Sequence, residues 1–109
     1  MSLTVTVLGA GSWGTALAKL VADQGHQVRL WSRRSEHAEA IQKGRTNERY
    51  LPGAALPATL ECTADLARAL HGTELIVSVV PSHGLRSTLV ECAKLFPDDA
   101  PIVSASTPA

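Results

Sequence analysis

Val-Thr-Val-Leu-Gly-Ala-Gly-Ser-Trp-Gly, residues 5–14, sets a Gly-x-Gly-x-x-Gly (Gly9, Gly11, Gly14) between an apolar strand pattern and a helical one. That context separates a dinucleotide-binding turn from a chance run of glycines. The first glycine permits a tight turn, the second lets the backbone approach a pyrophosphate, and the third lets the helix pack close to the strand. Phosphates would then meet unpaired N–H groups at the positive end of the helix dipole.

Strand and helix signals alternate outward from this turn. Leu3 to Leu8 reads as the first strand, and Ala16, Leu17, Leu20 and Val21 repeat at helical spacing up to a capping Gly25. Gln27 to Trp31 reads as the second strand, followed by a helix capped by Ser35, with Glu36 and Glu39 near its start and Gly44 at its end. Residues 45–57 carry Pro and Gly punctuation and are expected to form an irregular loop. A third strand is expected over Thr59 to Cys62, then a short helix capped by Thr63, carrying Leu66, Ala69 and Leu70 and ended by Gly72. Leu75 to Val80 is nearly all apolar, as a parallel strand buried on both faces should be. Pro81 stops it, Ser82 can cap a helix carrying Leu85, Leu89, Cys92 and Phe96, and Ile102 to Ala105 is the last strand. Right-handed crossovers predict an α/β fold: a doubly wound, Rossmann-like parallel sheet of five strands in the order 3-2-1-4-5, stopping before a sixth. Residues 1–109 are expected to be one dinucleotide-binding domain, without a substrate-binding helical domain.

Composition excludes several functions. Lys and Arg total 10 and Asp and Glu total 10, so no basic excess exists to hold nucleic acid by counterion release. No stretch is long enough to span a bilayer, and the N-terminus lacks the basic leader of a signal peptide. Cys62 and Cys92 stand in no metal or redox spacing and read as reduced, packed thiols. A cytoplasmic protein that binds neither membrane, nucleic acid nor metal is the expectation.

Cofactor selectivity is written after the second strand. About 20 residues beyond such a glycine turn, an acidic residue usually binds the ribose 2′-OH of NAD. Here the chain reads Trp31-Ser32-Arg33-Arg34, without a carboxylate. Two guanidiniums and a hydroxyl suit a 2′-phosphate, because arginine makes bidentate, charge-assisted bonds to phosphate. NADP(H) is therefore expected over NAD(H), with some tolerance for NAD(H). Ser12 offers its backbone N–H to the pyrophosphate and its hydroxyl to the ligand or the helix end. Trp13 either walls the nicotinamide side or packs on a neighbouring loop. Pro81 and Ser82 fall at the carboxyl edge of the sheet, where ligands bind; Ser82 either caps its helix alone or also contacts the cofactor. His83 is close by but reads as surface, and His26, His37 and His71 show neither the spacing nor the carboxylate partner of a catalytic histidine. Tyr50 lies in the long loop, where functional residues are common.

Four blocks in order carry a resemblance: Gly-Ala-Gly-Ser-Trp-Gly-Thr-Ala-Leu-Ala (9–18), Leu-Trp-Ser-Arg-Arg (30–34), Asn-Glu-Arg-Tyr-Leu-Pro-Gly (47–53) and Val-Val-Pro-Ser-His (79–83). Together they closely resemble bacterial NAD(P)-dependent glycerol-3-phosphate dehydrogenase over residues 3 to about 106. The resemblance implies NADPH-dependent reduction of dihydroxyacetone phosphate to sn-glycerol 3-phosphate for phospholipid synthesis. It further implies that Ser12 and Trp13 contact the cofactor, that Arg33 and Arg34 recognise the adenosine phosphate, and that Tyr50 lies near the cofactor.

One departure stands against it. Where the family continues with a Thr/Ser-Lys-Gly turn, this chain reads Ser106-Thr107-Pro108-Ala109, with Thr107 in the lysine's place. No catalytic residue is assigned, and the 109 residues alone are expected to be inactive, the small phosphorylated substrate belonging to the full-length protein. An open fifth strand beside apolar helix faces is expected to drive self-association. The competing readings are another NADP-dependent dehydrogenase of the same N-terminal architecture, such as ketopantoate reductase or 6-phosphogluconate dehydrogenase, and a stand-alone NADP(H)-binding module. The Asn-Glu-Arg-Tyr-Leu-Pro-Gly block argues against the first, because the fold alone does not explain it.

Overall fold

Alternating periods of two and 3.6 residues produce β1 (Thr4–Leu8), α1 (Ser12–Asp23), β2 (Gln27–Trp31), α2 (Ser35–Gly44), β3 (Thr46–Asn47), β4 (Leu51–Ala55), β5 (Leu60–Thr63), α3 (Leu66–Leu70), β6 (Leu75–Ser78) and β7 (Ile102–Ser104). These come from a computed structural model that describes residues 2–48, 51–79 and 101–104. The main sheet runs β5-β2-β1-β6-β7 with every pairing parallel. Counting only its own strands, that is third, second, first, fourth, fifth, the expected doubly wound order. Val5, Thr6, Val7 and Leu8 of the central β1 are all buried, since both faces of the sheet are covered. Leu8 stands level with Trp31 on one side and Ser78 on the other, so three strands end together.

One face packs Val5, Val7, Val28 and Leu30 against Ala18 and Ala22 of α1, Ala38 and Ile41 of α2, and Leu60 and Cys62. On the other, Leu8, Trp31 and Ile76 meet Ala69 and Leu70 of α3. Each fully buried Leu, Ile or Val contributes about 1.5–3 kcal/mol relative to exposure. The buried hydroxyl of Thr6 interrupts this apolar layer. It donates to the Ala69 carbonyl at 2.5 Å and meets the Thr73 hydroxyl at 2.8 Å, tying α3 and its exit turn to the central strand.

Several local expectations need correction. The face α1 buries is Gly14, Thr15, Ala18 and Ala22, while Leu20 is 57% exposed. Close approach of helix to sheet selects the small residues for the buried face and turns Leu20 outward, while Val21 packs partly buried against the core. Ser35 begins α2 but does not cap it: Arg34 holds the N-cap position, with no side-chain cap bond. The left-handed C-cap of α2 is Arg45 (φ 57°), not Gly44. Its guanidinium donates to the Leu60 carbonyl at 2.7 Å and to that of Pro57, and its own carbonyl accepts from Leu56 N–H at 2.8 Å. Where residues 45–57 were expected to form an irregular loop, Thr46–Asn47 and Leu51–Ala55 pair as antiparallel β3 and β4, and those bonds flank the pair. α3 is capped by Asp65, which accepts from Arg68 N–H at 3.3 Å, while Thr63 Oγ1 accepts from Asp65 N–H at 3.0 Å.

Cys62 is buried and in no disulfide. Burial pushes its thiol up to about 12, outweighing the opposing pull of Arg45. Below the unfolded chain's value of 9.0 the thiol is neutral in both states and the contribution is complete. Between 9.0 and about 12 only the unfolded chain ionises, so stability should fall as pH rises through that window. At pH 8, iodoacetamide should leave Cys62 unmodified in the folded chain and alkylate it in urea, as read by peptide mass spectrometry. Equal labelling in both conditions would contradict the burial. Cys92 lies outside the described residues.

Candidate functional site

Two regions compete for the site. An open cleft of about 740 Å³ is lined by Gln27, Arg29, Glu61, Arg68 and His71, at the amino ends of β2 and β5. Its charges are engaged with one another: Glu61 pairs with Arg68 at 2.6 Å and with Arg29 at 4.0 Å. Ligands of open parallel sheets bind instead at the carboxyl ends of the strands, where the order reverses. In this sheet that place lies between β1 and β6, and the glycine turn leaves β1 there.

Gly9 has φ 118°, which a side chain would resist, and its N–H donates to the Trp31 carbonyl at 3.0 Å. The turn is thereby fastened to the end of β2. A Cβ on Gly14 would lie 1.8 Å from the Gly9 carbonyl oxygen, so the third glycine is required for helix and strand to approach. At Gly11 a Cβ would meet nothing within 4 Å. That space is what a pyrophosphate needs.

Gly11 is the N-cap of α1, with no side-chain cap bond and no acidic residue in the first turn. No acidic residue of that first turn opposes the positive end of the helix dipole, and the first-turn N–H groups lack helical acceptors. Ser12 is the first helical residue and exposed, so it does not cap the helix as one reading of it had it. Trp13 is 47% exposed beside it, a large apolar surface at the mouth of the site.

At the end of β2, Trp31 and Ser32 are buried while Arg33 and Arg34 are exposed. Trp31 belongs to the core and donates Nε1–H to the Ala64 carbonyl at 3.1 Å. Ser32 is not the ligand-facing hydroxyl that its position suggested. Its Oγ accepts from Arg34 N–H at 3.3 Å and lies 3.3 Å from His37 Nδ1. The structure thus brings Gly9, Gly11, Ser12, Trp13 and Gly14 together at the end of β1. Arg33 and Arg34 follow the β2 end that the Gly9 bond holds beside it. Tyr50, Pro81 and Ser82 lie outside the described residues, as do His83 and Thr107.

Asn47 and His37 were not singled out by the sequence as parts of this site. Asn47, 2% exposed in β3, donates Nδ2–H to the Ala10 carbonyl at 3.0 Å and to Thr15 Oγ1 at 2.7 Å. Its Oδ1 lies 3.1 Å from His37 Nε2. Only the chain's return through β3 brings these partners together. The Asn-Glu-Arg-Tyr-Leu-Pro-Gly block was the one available signal for Asn47. Among the described residues no group of three His, Cys, Asp or Glu side chains could hold a metal ion.

Residues 4–107 match the family described as NAD-dependent glycerol-3-phosphate dehydrogenase N-terminus. A glycerol-3-phosphate dehydrogenase (NAD(P)+) of Corynebacterium kroppenstedtii is 47% identical over 102 residues, covering 94% of this chain and 31% of its own length. One from Mycobacterium tuberculosis is 48% identical over 101 residues, covering 93% and 30%. The crystal structure of glycerol-3-phosphate dehydrogenase from Coxiella burnetii superposes with a TM-score of 0.93 at 38% identity, over 97% of this chain and 33% of that one. The Saccharomyces cerevisiae enzyme gives 0.88 at 28% identity, over 98% and 34%. The chain therefore spans about a third of the length of the relatives it matches.

Proposed function

The chain belongs to the N-terminal family of NAD-dependent glycerol-3-phosphate dehydrogenases, and from that premise we propose that its glycine turn binds a nicotinamide dinucleotide, NADP(H) in preference to NAD(H). The observation that carries the binding is the combination of an α1 N-terminus that has no side-chain cap bond and no acidic residue in its first turn with the open space at Gly11. The preference is carried by two exposed arginines, Arg33 and Arg34, where an acidic residue would select NAD(H). Ser12 and Trp13 border the same turn and are assigned to the cofactor, as are Tyr50 from the family resemblance and Pro81 and Ser82 from their place in the sequence at the carboxyl edge of the sheet.

The whole protein is proposed to reduce dihydroxyacetone phosphate to sn-glycerol 3-phosphate, a phospholipid precursor, in the cytoplasm. NADPH supplies the hydride when bound. The residues of this chain hold the dinucleotide by its phosphates and fix where the nicotinamide lies. Polarising and protonating the ketone is assigned to the remaining two-thirds of the length that the relatives have, so this chain by itself should not turn over. Among the described residues no helix is long and apolar enough to cross a membrane.

Calorimetric titration of the chain with NADPH and, separately, NADH tests the reading. Tighter NADPH binding is expected; no heat with either would refute it. Self-association is also proposed, through β7, where Ile102 is 42% and Val103 49% exposed and no further strand pairs among the described residues. Light scattering should show dimers or larger species at high concentration, and a monomer throughout would oppose this.

A further inference from the structure

A single hydrogen-bond chain crosses the molecule from the glycine turn to the arginine corner, and its tautomer follows from its chemistry. The Ala10 carbonyl can only accept, so the Asn47 amide must face it with an N–H, at 3.0 Å. The second N–H of the same amide goes to Thr15 Oγ1 at 2.7 Å. Both donors are then committed, and Oδ1 must accept from His37, 3.1 Å away, which puts a hydrogen on Nε2. In the neutral ring Nδ1 is left as an acceptor, and the single Ser32 hydrogen has two acceptors, His37 Nδ1 and the Arg34 carbonyl, each 3.3 Å away. The Ser32 oxygen in turn accepts from Arg34 N–H at 3.3 Å. Ser32, Asn47 and Thr15 are buried and His37 half-buried, so water competes weakly for these bonds.

Resting on the cofactor reading above, we propose that Asn47 and His37 are positioning residues that set the two phosphate-binding ends of the site. In a trans peptide the C=O and the following N–H point opposite ways, and no peptide in the described chain is cis. Holding the Ala10 carbonyl inward therefore turns Gly11 N–H the opposite way, away from Asn47. Asn47 thus aims the donor that a pyrophosphate meets. At the far end, Ser32 fixes Arg34 at the N-cap of α2, and so the direction in which Arg33 and Arg34 leave the chain. His37 Nδ1 shares with the Arg34 carbonyl the role of orienting the Ser32 hydroxyl that does this.

The two halves have different signatures. The pyrophosphate is common to both cofactors, so Asn47→Leu should weaken NADPH and NADH alike, by about tenfold or more, leaving their ratio unchanged. His37→Gln keeps a donor toward Asn47 and loses one partner of Ser32. It should weaken NADPH by about fivefold and NADH by less than about twofold, and Ser32→Ala should do the same. A role confined to packing would lower both affinities together in the His37 and Ser32 variants, and that result overturns the proposal. Wild-type binding with all three variants unchanged overturns it while sparing the cofactor reading. Absence of wild-type binding overturns both. If Asn47→Leu fails to fold, long-range 15N–1H spectra of the wild-type chain decide instead. The neutral His37 ring should carry its hydrogen on Nε2, and an Nδ1–H tautomer would break the chain of donors at both ends.

Discussion

Gly14→Ala should abolish dinucleotide binding and destabilise the chain by about 3 kcal/mol. The added carbon would sit 1.8 Å from the Gly9 carbonyl oxygen and 3.0 Å from its carbon, with Val79 Cγ2 at 3.5 Å behind. Ordinary contact needs roughly 1.5 Å more separation from that oxygen. Neither partner can yield cheaply. Gly9 is held by its bond to Trp31, and α1 by Thr15, Ala18 and Ala22 packed into the sheet. Relief requires lifting the helix N-terminus off β1, which opens the core and moves the phosphate-binding N–H groups together. Gly11→Ala is the matched control. Its methyl meets nothing of the protein, so stability should change by less than about 1 kcal/mol while the cofactor loses its approach. Urea unfolding and calorimetric titration of both variants separate these effects. A Gly14→Ala chain that unfolds with the wild type would refute the close approach.

Arg33→Asp should weaken NADPH by about 100-fold and NADH by less than about threefold. One charge-assisted bond to the 2′-phosphate is lost, worth about 1.5–3 kcal/mol, and a like charge is placed beside it. NADH has no phosphate there, and an acidic residue after β2 can accept from its ribose hydroxyls. Arg33 is exposed, so the discrimination should shrink as salt rises. Equal loss of both cofactors would show that Arg33 supports the fold instead of reading the phosphate.

The fold was legible wherever a local pattern carries it. The apolar run of β1, the glycine turn and the Gln27–Trp31 strand lie where the periodicity put them, because strand and helix periods are properties of neighbouring residues. Errors concentrated at helix ends and faces. Ser35 and Thr63 have good capping side chains, yet Arg34 and Asp65 occupy the caps. Of the apolar stripe Ala16, Leu17, Leu20 and Val21, Val21 packs against the core, but the buried positions are Gly14, Thr15, Ala18 and Ala22, because distance to the sheet favours small residues. An expected loop became a β pair, flanked by Arg45 side-chain bonds to carbonyls more than ten residues away.

The same division runs through the candidate site. Gly9, Gly11, Gly14 and the two arginines are identified by sequence because backbone conformation, close approach and net charge are local chemistry. His37 and Asn47 carry no such signal, and His37 showed only that it lacked the spacing and carboxylate partner of a catalytic histidine. Asn47 reaches Ala10 across 37 positions and Thr15 across 32. The sequence by itself determined a doubly wound sheet, a glycine turn between β1 and α1 and a basic corner at the second strand. Tertiary structure alone decided how turn and corner are joined, since a buried amide has to find its partners in space and no periodicity records where they are.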